Sequence, residues 1–322
     1  MSKAAKTAGR ILRIIGRIIL WIFIVLISLL VICGVVNKIM QQGEKDLLKD
    51  DRCHMVEVDG KNMSIYTEGS GEHTIVLMSG WGTPSPMYDF RPLYEKLSDD
   101  CKIAVLEKFG YGFSDKTDGE RDIDTLVRQD REALQKAGIE APYVLCPHSL
   151  SGLEATYWAQ MYPDEVEAII GLDMSTSVLM ELESDNMLTF EKVLGKTVAL
   201  SGINRPMLAL SDLPECRNAE EKKQYIAVYS ANDGNSTVLR EADSQKANCE
   251  KIKSLPLPKT PTLQFISGTN RDNERWVDSH REMTDASSHG RMVQLDCGHY
   301  VHHYESEKIA KEIRSFLSEL KK

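Results

Sequence analysis

A serine lies where the sequence changes from a strand pattern to a helix pattern. Ser149 stands in the stretch CPHSLSG (residues 146–152), after the apolar run PYVLC and before a helical pattern over residues 150–161. A serine on such a tight turn is a typical nucleophile, most often within G-x-S-x-G. Here the compact residues Pro147 and Ser151 occupy the two glycine positions. We predict that Ser149 is a nucleophile, and a helix N-cap is its alternative role.

A serine hydroxyl needs a general base, and the base needs an acid that orients it. His299 follows the last predicted strand, in DCGHYVHHYES, and is the candidate base. Asp272, in GTNRD after the preceding strand, is the candidate acid, and Asp173 in GLDMS is the alternative acid. Asp272 also fits a helix N-cap, and Asp173 also fits a structural hydrogen-bond acceptor. The order Ser149, Asp272, His299 is typical of nucleophilic catalysis at the edge of a parallel sheet.

The residues for two other kinds of chemistry are incomplete. His299, His302 and His303 suggest a metal site, but no acidic or cysteine ligands with convincing spacing accompany them. The stretch GYGFSD (residues 110–115) begins like a dinucleotide-binding fingerprint, but Asp115 stands where the third glycine is required. We therefore predict no metal and no cofactor.

A nucleophilic attack on a carbonyl also needs hydrogen-bond donors for the oxyanion that forms. The stretch MSGWGTPSP (residues 78–86) follows an early strand, and Gly80 and Gly82 allow its backbone to approach the site closely. We predict that the backbone N–H groups of Trp81 and Leu150 form the oxyanion hole. An ordinary turn is the alternative for either segment.

Strands that alternate with helices predict a mostly parallel sheet with helices on both faces. An antiparallel hairpin around Asp59 and Gly60 precedes this alternation. The alternation stops for about 80 charged, mostly helical residues and then resumes. We predict an α/β core from residues 53–174 and 258–322, with a helical cap inserted at residues 175–257.

The N-terminus has the pattern of a membrane anchor. Residues 1–17 are basic, and residues 18–36 are apolar except for Ser28 and Gly34. Nineteen helical residues span roughly 28 Å, which matches the hydrocarbon core of a bilayer. Five basic residues before this segment and Lys38 after it predict a cytoplasmic N-terminus and an extracytoplasmic main domain. Residues 37–52 are predicted as a polar stalk, and a cleaved signal peptide is the alternative.

The charge distribution argues against one class of partner. The chain has 322 residues and a net charge of −9, and residues 1–40 carry six basic residues and no acidic one. The remaining residues carry 33 basic against 48 acidic side chains, so nucleic-acid binding is not expected. Of the seven cysteines, Cys216 and Cys249 are the candidates for a disulfide bond.

These motifs together resemble the α/β-hydrolase superfamily over about residues 56–320. The resemblance rests on MSGWG, GYGFSD, PHSLSG, GTNRD and GHYVHHYESEKIAKEIRSFL, in this order. Four positions depart from the usual pattern: Ser79 replaces a histidine, Pro147 a glycine and Glu107 an aspartate, and Asp272 lies one residue late. The layout is most similar to capped esterases, lipases and aminopeptidase-like enzymes, and the anchored form resembles proteins of Gram-positive bacteria.

The resemblance implies a membrane-anchored serine hydrolase that cleaves a carboxylic ester, or an amide, through an acyl-enzyme. Its substrate would be a small-molecule or lipid-like ester. A serine nucleophile argues against epoxide hydrolase or dehalogenase chemistry, which the superfamily performs with an aspartate. The alternative from another class is a catalytically silent hydrolase fold that binds a ligand or a partner.

Overall fold

The sheet has eight strands, six of which are joined by parallel pairing. The computed structural model describes residues 3–182, 185–213 and 215–320. The strand order is β1-β2-β4-β3-β5-β6-β7-β8, and all pairs from β4 to β8 are parallel. This confirms the predicted fold class. The strands are Cys53–Val58 (β1), Lys61–Glu68 (β2), Thr74–Met78 (β3), Lys102–Glu107 (β4), Tyr143–Pro147 (β5), Val166–Leu172 (β6), Thr262–Ile266 (β7) and Gly290–Gln294 (β8).

The antiparallel start of the sheet is the predicted hairpin. Strands β1 and β2 pair from Val58 with Lys61 outward, and β2 then pairs antiparallel with β4. Asp59 and Gly60 form the two-residue turn, with φ of 51° and 73°. Positive φ at both central residues is the requirement of the tightest hairpin turn, which Asp-Gly satisfies.

Helices cover both faces of the sheet because its strands alternate their side chains between two cores. In β3, Val76 and Met78 belong to one core, while Ile75 and Leu77 belong to the other. The helices outside the insertion are Pro86–Asp89 (α2), Arg91–Leu97 (α3), Ile123–Lys136 (α4), Ser151–Met161 (α5), Glu274–Ala286 (α11), Val301–Tyr304 (α12) and Ser306–Leu320 (α13), with short 3₁₀ segments at Lys45–Leu48 and Pro163–Glu165. Helices α4, α5 and α11 pack on the first core, and α3 and α13 on the second.

The chain between β6 and β7 is helical. It contains Leu179–Leu182 (α6), Asp185–Ser201 (α7), Asn204–Leu210 (α8), Ala219–Asn232 (α9) and Ser236–Lys253 (α10), which we call the cap helices. Asn218 and Asn235 cap α9 and α10 by accepting two backbone N–H groups each. Cys216 and Cys249 are not bonded to each other, because Cys249 packs in the first core and Cys216 packs against the second.

The cap is joined to the core by buried charges. Glu241 of α10 accepts hydrogen bonds from Arg121 and, at 2.7 Å, from the Tyr111 hydroxyl. Lys108, directly after β4, lies 2.6 Å from Glu154 of α5 and 3.5 Å from Glu241. These groups are buried, and they fix the position of α10 over the carboxyl ends of the strands.

The N-terminal helix is longer than the apolar segment. Helix α1 spans Lys3–Gly43. It is the one helix of the described chain that is long and apolar enough to cross a membrane. Residues 37–52, predicted as a polar stalk, make contacts with the cap. Asn37 and Glu44 both bind Arg205 at the start of α8, and Gln41 donates a hydrogen bond of 2.6 Å to the Ser230 carbonyl. The end of α1 is therefore packed against the cap.

Candidate active site

Ser149 lies on a strained turn between β5 and α5. Its φ is +53°, in the left-handed region that residues other than glycine rarely adopt. The neighbouring backbone is close on the α5 side: a Cβ on Gly152 would lie 2.3 Å from the Ser175 carbonyl oxygen. Ser151 fits because its hydroxyl donates to the Met78 carbonyl at 2.7 Å. The turn thus favours small residues at positions 151 and 152.

Pro147 fits the turn because its position needs no N–H group. It is the last residue of β5 and lies beside Met78 of β3 in the parallel register. The hydrogen bond that continues this ladder comes from the next residue, since the His148 N–H donates to the Met78 carbonyl at 2.9 Å. Proline is therefore tolerated at one of the two positions where the usual motif has glycine.

His299 is paired with Asp173. Its Nδ1 atom lies 2.6 Å from Oδ2 of Asp173, which is completely buried at the end of β6. Asp173 has a positive φ of 47°, and its Oδ1 and Oδ2 atoms also accept hydrogen bonds from the Ser267 N–H and the Asn270 side chain. Burial opposes the charge of Asp173, but the hydrogen bonds from His299 and Ser267 outweigh it, so the pKa of this carboxyl lies below its usual value.

The expected pairing of His299 with Asp272 is therefore not the one in the structure. Asp272 is exposed in the loop after β7, two residues beyond Asn270. It is Asn270 of that loop that contributes, by donating a hydrogen bond of 2.8 Å to Asp173. Strand β6 lies directly beside β5, so an acid at its end is nearer to the serine turn than one at the end of β7.

His148 connects the serine turn to the histidine loop, a role that the sequence did not reveal. Its Nε2 atom lies 3.2 Å from the His299 carbonyl oxygen, and the two rings are 4.7 Å apart between centroids. Burial and the nearby His302 and His299 hold the pKa of His148 well below the usual value, so the ring is neutral at pH 7. The only sequence signal was its position beside Ser149.

The loop after β3 approaches the serine as predicted from its glycines. A Cβ on Gly80 would lie 2.7 Å from Cβ of Ser149, so only glycine permits this contact. Trp81 follows, and its indole N–H donates to the Val238 carbonyl of α10 at 2.7 Å. Leu150, the other predicted oxyanion residue, is buried at the start of α5. The predicted oxyanion residues therefore flank the serine turn.

His302 and His303 bind a different acid from His299. Their Nε2 atoms lie 2.8 Å and 3.0 Å from the two oxygens of Asp89 in α2. The ligand atoms of these three residues lie within 4.8 Å of one another, a spacing that could hold a cation. The carboxylate nevertheless already has a hydrogen bond at each oxygen. The three histidines that are close in sequence therefore bind two different carboxylates: His299 binds Asp173, and His302 and His303 bind Asp89.

Glu107 has a structural place beside the GYGFSD loop. It is completely buried, and its two oxygens accept the backbone N–H groups of Met87 and Phe113 at 3.2 Å and 2.8 Å. A Cβ on Gly112 would lie 1.9 Å from the Glu107 carboxyl carbon, and φ of Gly112 is +50°. Gly112 therefore leaves space for the Glu107 carboxyl, which binds the backbone of the chain before and after β4.

A cavity of about 330 Å³ lies next to the histidine loop, where its lining includes Asp89 and His303 but not Ser149, His299 or Asp173. Gly82 and Thr83 of the loop after β3 line one side, and Tyr300, next to His299, lines another. Tyr225 and Tyr229 of α9 close it from the cap. The cavity is therefore bounded by sequence neighbours of both Trp81 and His299, and four of its lining side chains are tyrosines.

Known proteins resemble the whole chain and parts of it. A family model described as alpha/beta hydrolase fold matches residues 73–205. The uncharacterized protein YbdG of Bacillus subtilis is 34% identical over 98% of this chain and 100% of its own length. A cis-3-alkyl-4-alkyloxetan-2-one decarboxylase of Shewanella oneidensis is 24% identical over 85% of this chain and 91% of its length. A pimeloyl-[acyl-carrier protein] methyl ester esterase of Aliivibrio salmonicida is 35% identical over 33% of this chain and 38% of its length.

Among solved structures, Cfl2 from Burkholderia cenocepacia superposes with a TM-score of 0.65 at 21% identity, over 83% of this chain and 98% of its own. At this identity the likeness concerns the fold alone. The structural likeness to Cfl2 and the family model agree on the fold of the central part of the sheet. The match to YbdG covers nearly every residue of the chain. The chain belongs to the α/β-hydrolase family.

Proposed function

We propose that this hydrolase cleaves a carboxylic ester through an acyl-enzyme formed on Ser149. The observation that carries the proposal is the 2.6 Å contact between His299 and the buried Asp173, beside a serine held at positive φ. Because Nδ1 of His299 is bound to Asp173, Nε2 is the ring nitrogen left to take a proton from Ser149. We therefore assign Ser149, His299 and Asp173 as the triad, with Asp173 in place of Asp272.

The reaction follows from this arrangement. The Ser149 oxygen attacks the ester carbonyl carbon, and its proton moves to His299. The tetrahedral intermediate collapses, the alcohol leaves with that proton, and the acyl group stays on the serine. A water molecule then attacks the acyl carbon with His299 as its base, which releases the carboxylic acid and restores Ser149.

The oxyanion would be bound by the backbone N–H groups of Trp81 and Leu150. Neither N–H has a hydrogen-bond acceptor within the described part of the chain. Gly80 brings the first of them within reach of the serine, and the start of α5 supplies the second. Two unengaged donors beside a nucleophile, one of them at a helix N-terminus, suit a developing negative charge.

The relatives are consistent with ester chemistry but differ among themselves. The partial relative from Aliivibrio salmonicida is a methyl ester esterase, while the longer match from Shewanella oneidensis is a decarboxylase of an oxetanone. An ester and an oxetan-2-one both present an acyl carbon bonded to an alkoxy oxygen. The serine at the turn favours attack on that carbon in this chain, and we propose a small-molecule or lipid-like ester as the substrate.

We also propose that α1 anchors the protein as a single span with its N-terminus in the cytoplasm. Its apolar side chains from Ile18 to Val36 are exposed to the surroundings, which suits lipid and does not suit water. The five basic residues before this segment favour the cytoplasmic side for the N-terminus. The catalytic domain would then lie outside the cell membrane.

A fluorophosphonate probe tests the nucleophile directly. We expect the full-length protein to be labelled and to hydrolyse a short chromogenic ester, and we expect Ser149→Ala to lose both properties. Ser315→Ala, at an exposed position of α13, is the matched control and should keep both. Labelling that persists in Ser149→Ala would refute the assignment. No labelling of the wild type would favour the ligand-binding alternative.

A further inference from the structure

Two cap helices carry a row of exposed apolar side chains. In the described residues after position 43, twelve large apolar side chains are exposed, and seven of them fall between residues 190 and 210. Phe190 is 65% exposed and Leu210 is 89% exposed. We call these seven side chains the apolar face of the cap: Phe190, Val193, Leu194 and Leu200 on α7, with Ile203, Met207 and Leu210 at α8.

The spacing shows that this face is one side of amphipathic helices. On α7 the positions 190, 193, 194 and 200 follow the helical repeat, and on α8 the positions 203, 207 and 210 do so. The opposite side of α7 is packed: a Cβ on Gly234 would lie 2.9 Å from Cβ of Ala199 and 3.1 Å from the Gly195 carbonyl oxygen. Lys192 on that side binds Asp243 of α10. The apolar face therefore points away from the protein.

This face is continuous with the membrane anchor. A Cβ on Gly34 would lie 2.9 Å from the Leu200 carbonyl oxygen, so the end of α7 touches α1 inside its apolar segment. Just beyond that segment, Asn37 accepts a hydrogen bond of 2.6 Å from Arg205, and Glu44 accepts two more from the same guanidinium. The contact fixes α7 and α8 at the level where α1 leaves the apolar part of the bilayer.

Three polar groups along the face are paired within the cap. The Thr197 hydroxyl, on the same side of α7, donates to the Val193 carbonyl at 2.8 Å. At the end of α8, the Ser211 hydroxyl donates to the Met207 carbonyl, and the Lys222 ammonium donates to the Ala209 and Ser211 carbonyls. The pairing of these three groups lowers the cost of placing the face in an apolar environment.

We infer that the apolar face of the cap lies in the outer interfacial layer of the bilayer that α1 crosses. The inference rests on the proposed anchoring of α1, because the contacts of Gly34 and Asn37 set the depth of the face. Leu208 of α8 lines the cavity that Tyr300, next to His299, also lines. The membrane therefore lies one helix away from that cavity, and amphiphilic esters from the lipid layer are the substrate class that this position favours.

Depth-dependent fluorescence quenching tests the position of the face. The full-length protein is placed in vesicles whose lipids carry bromine at a known depth in the acyl chain, with Phe190→Trp or Leu210→Trp as reporter. Glu250→Trp, at an exposed position of α10, is the matched control, and the wild-type signal of the native tryptophans is subtracted. We expect quenching of both face reporters, strongest with bromine near the glycerol end, and no added quenching at residue 250.

Two other outcomes overturn the inference. Face reporters no more quenched than the control, with the protein still floating with the vesicles, would place the face in water or against a second copy of the chain, which crosslinking would reveal. A protein that does not float with vesicles would refute the anchor as well. Fluorophosphonate labelling and ester turnover are independent of quenching, so failure of the proposed chemistry would be recognised separately.

Discussion

Asp173→Asn is the substitution that most directly tests how the site works. The carboxylate accepts three hydrogen bonds: Oδ1 from the Ser267 N–H at 3.0 Å, and Oδ2 from Asn270 at 2.8 Å and His299 at 2.6 Å. An asparagine side chain has one acceptor oxygen and one donor nitrogen. Whichever way the amide is turned, its NH₂ group faces at least one of these donors.

Both orientations of the new amide are unfavourable. If the amide oxygen stays on the Ser267 N–H, the amide nitrogen faces His299. Nδ1 of His299 must then accept a hydrogen bond, and the ring carries its proton on Nε2. An Nε2 atom that is already protonated cannot take a proton from Ser149. If the amide oxygen faces His299, a buried donor opposes the Ser267 N–H, at a cost of about 1–3 kcal/mol of folding free energy. We expect kcat to fall roughly 10⁴-fold, the magnitude of such a change in a serine triad.

The assay is steady-state turnover of a soluble short-chain ester, with thermal unfolding measured on the same preparations. Asp272→Asn is the matched control: it makes the same chemical change at an exposed site, and we expect its kcat to stay within about twofold of the wild type, since surface changes are usually small. Comparable losses in the two variants, or a larger loss in Asp272→Asn, would refute the assignment of Asp173.

Two further predictions concern buried charges. Lys108→Met should lower the unfolding free energy by about 3–5 kcal/mol, because Glu154 loses its buried cation, and a thermal melt unchanged from the wild type would contradict this. Burial lowers the pKa of His303, but its hydrogen bond to Asp89 outweighs burial, so this pKa is raised in the folded protein. The protonated His303 therefore stabilises the fold fully below about pH 6.5, and this contribution is lost as the pH rises through the pKa of His303 in the folded protein. Burial lowers the pKa of His302, so this side chain is neutral above that pH in the folded and the unfolded protein. Asp89→Asn should therefore flatten the decline of the unfolding free energy above pH 6.5. An unchanged slope would argue against this role of the His303–Asp89 pair.

The sheet was predictable because its strands are buried on both faces and alternate with helices. Runs such as TIVLM and PYVLC cannot be exposed, and the helices between them force parallel pairing. The packing of residues 37–52 was not predictable. Their polar composition suits solvent equally well, and only the fold brings Arg205 to Asn37 and Glu44.

The nucleophile and base candidates could be read from local sequence, but the acid could not. Ser149 and His299 each follow a strand within a recognisable stretch, and each is the leading candidate for its role. For the acid there are two such candidates, because Asp173 and Asp272 both follow a strand. The choice between them depends on which strand lies beside β5, and strand order is a long-range property. In the structure β6 is that neighbour, and the loop after β7 supplies Asn270 to Asp173 instead of an acid to His299.

The cap links the proposed site to the proposed anchor through two different kinds of contact. Towards the core, Glu241 is held by Arg121 and Lys108 with all three side chains buried, so displacing α10 would leave charges without partners. Towards α1, Arg205 binds Asn37 near the end of the anchor helix and Glu44 directly after it. The first contact fixes the cap over the carboxyl ends of the strands, where the proposed triad lies, and the second fixes it at the end of the apolar segment. A substrate that enters from the lipid layer would therefore meet a site whose orientation to the membrane is set by these buried charges.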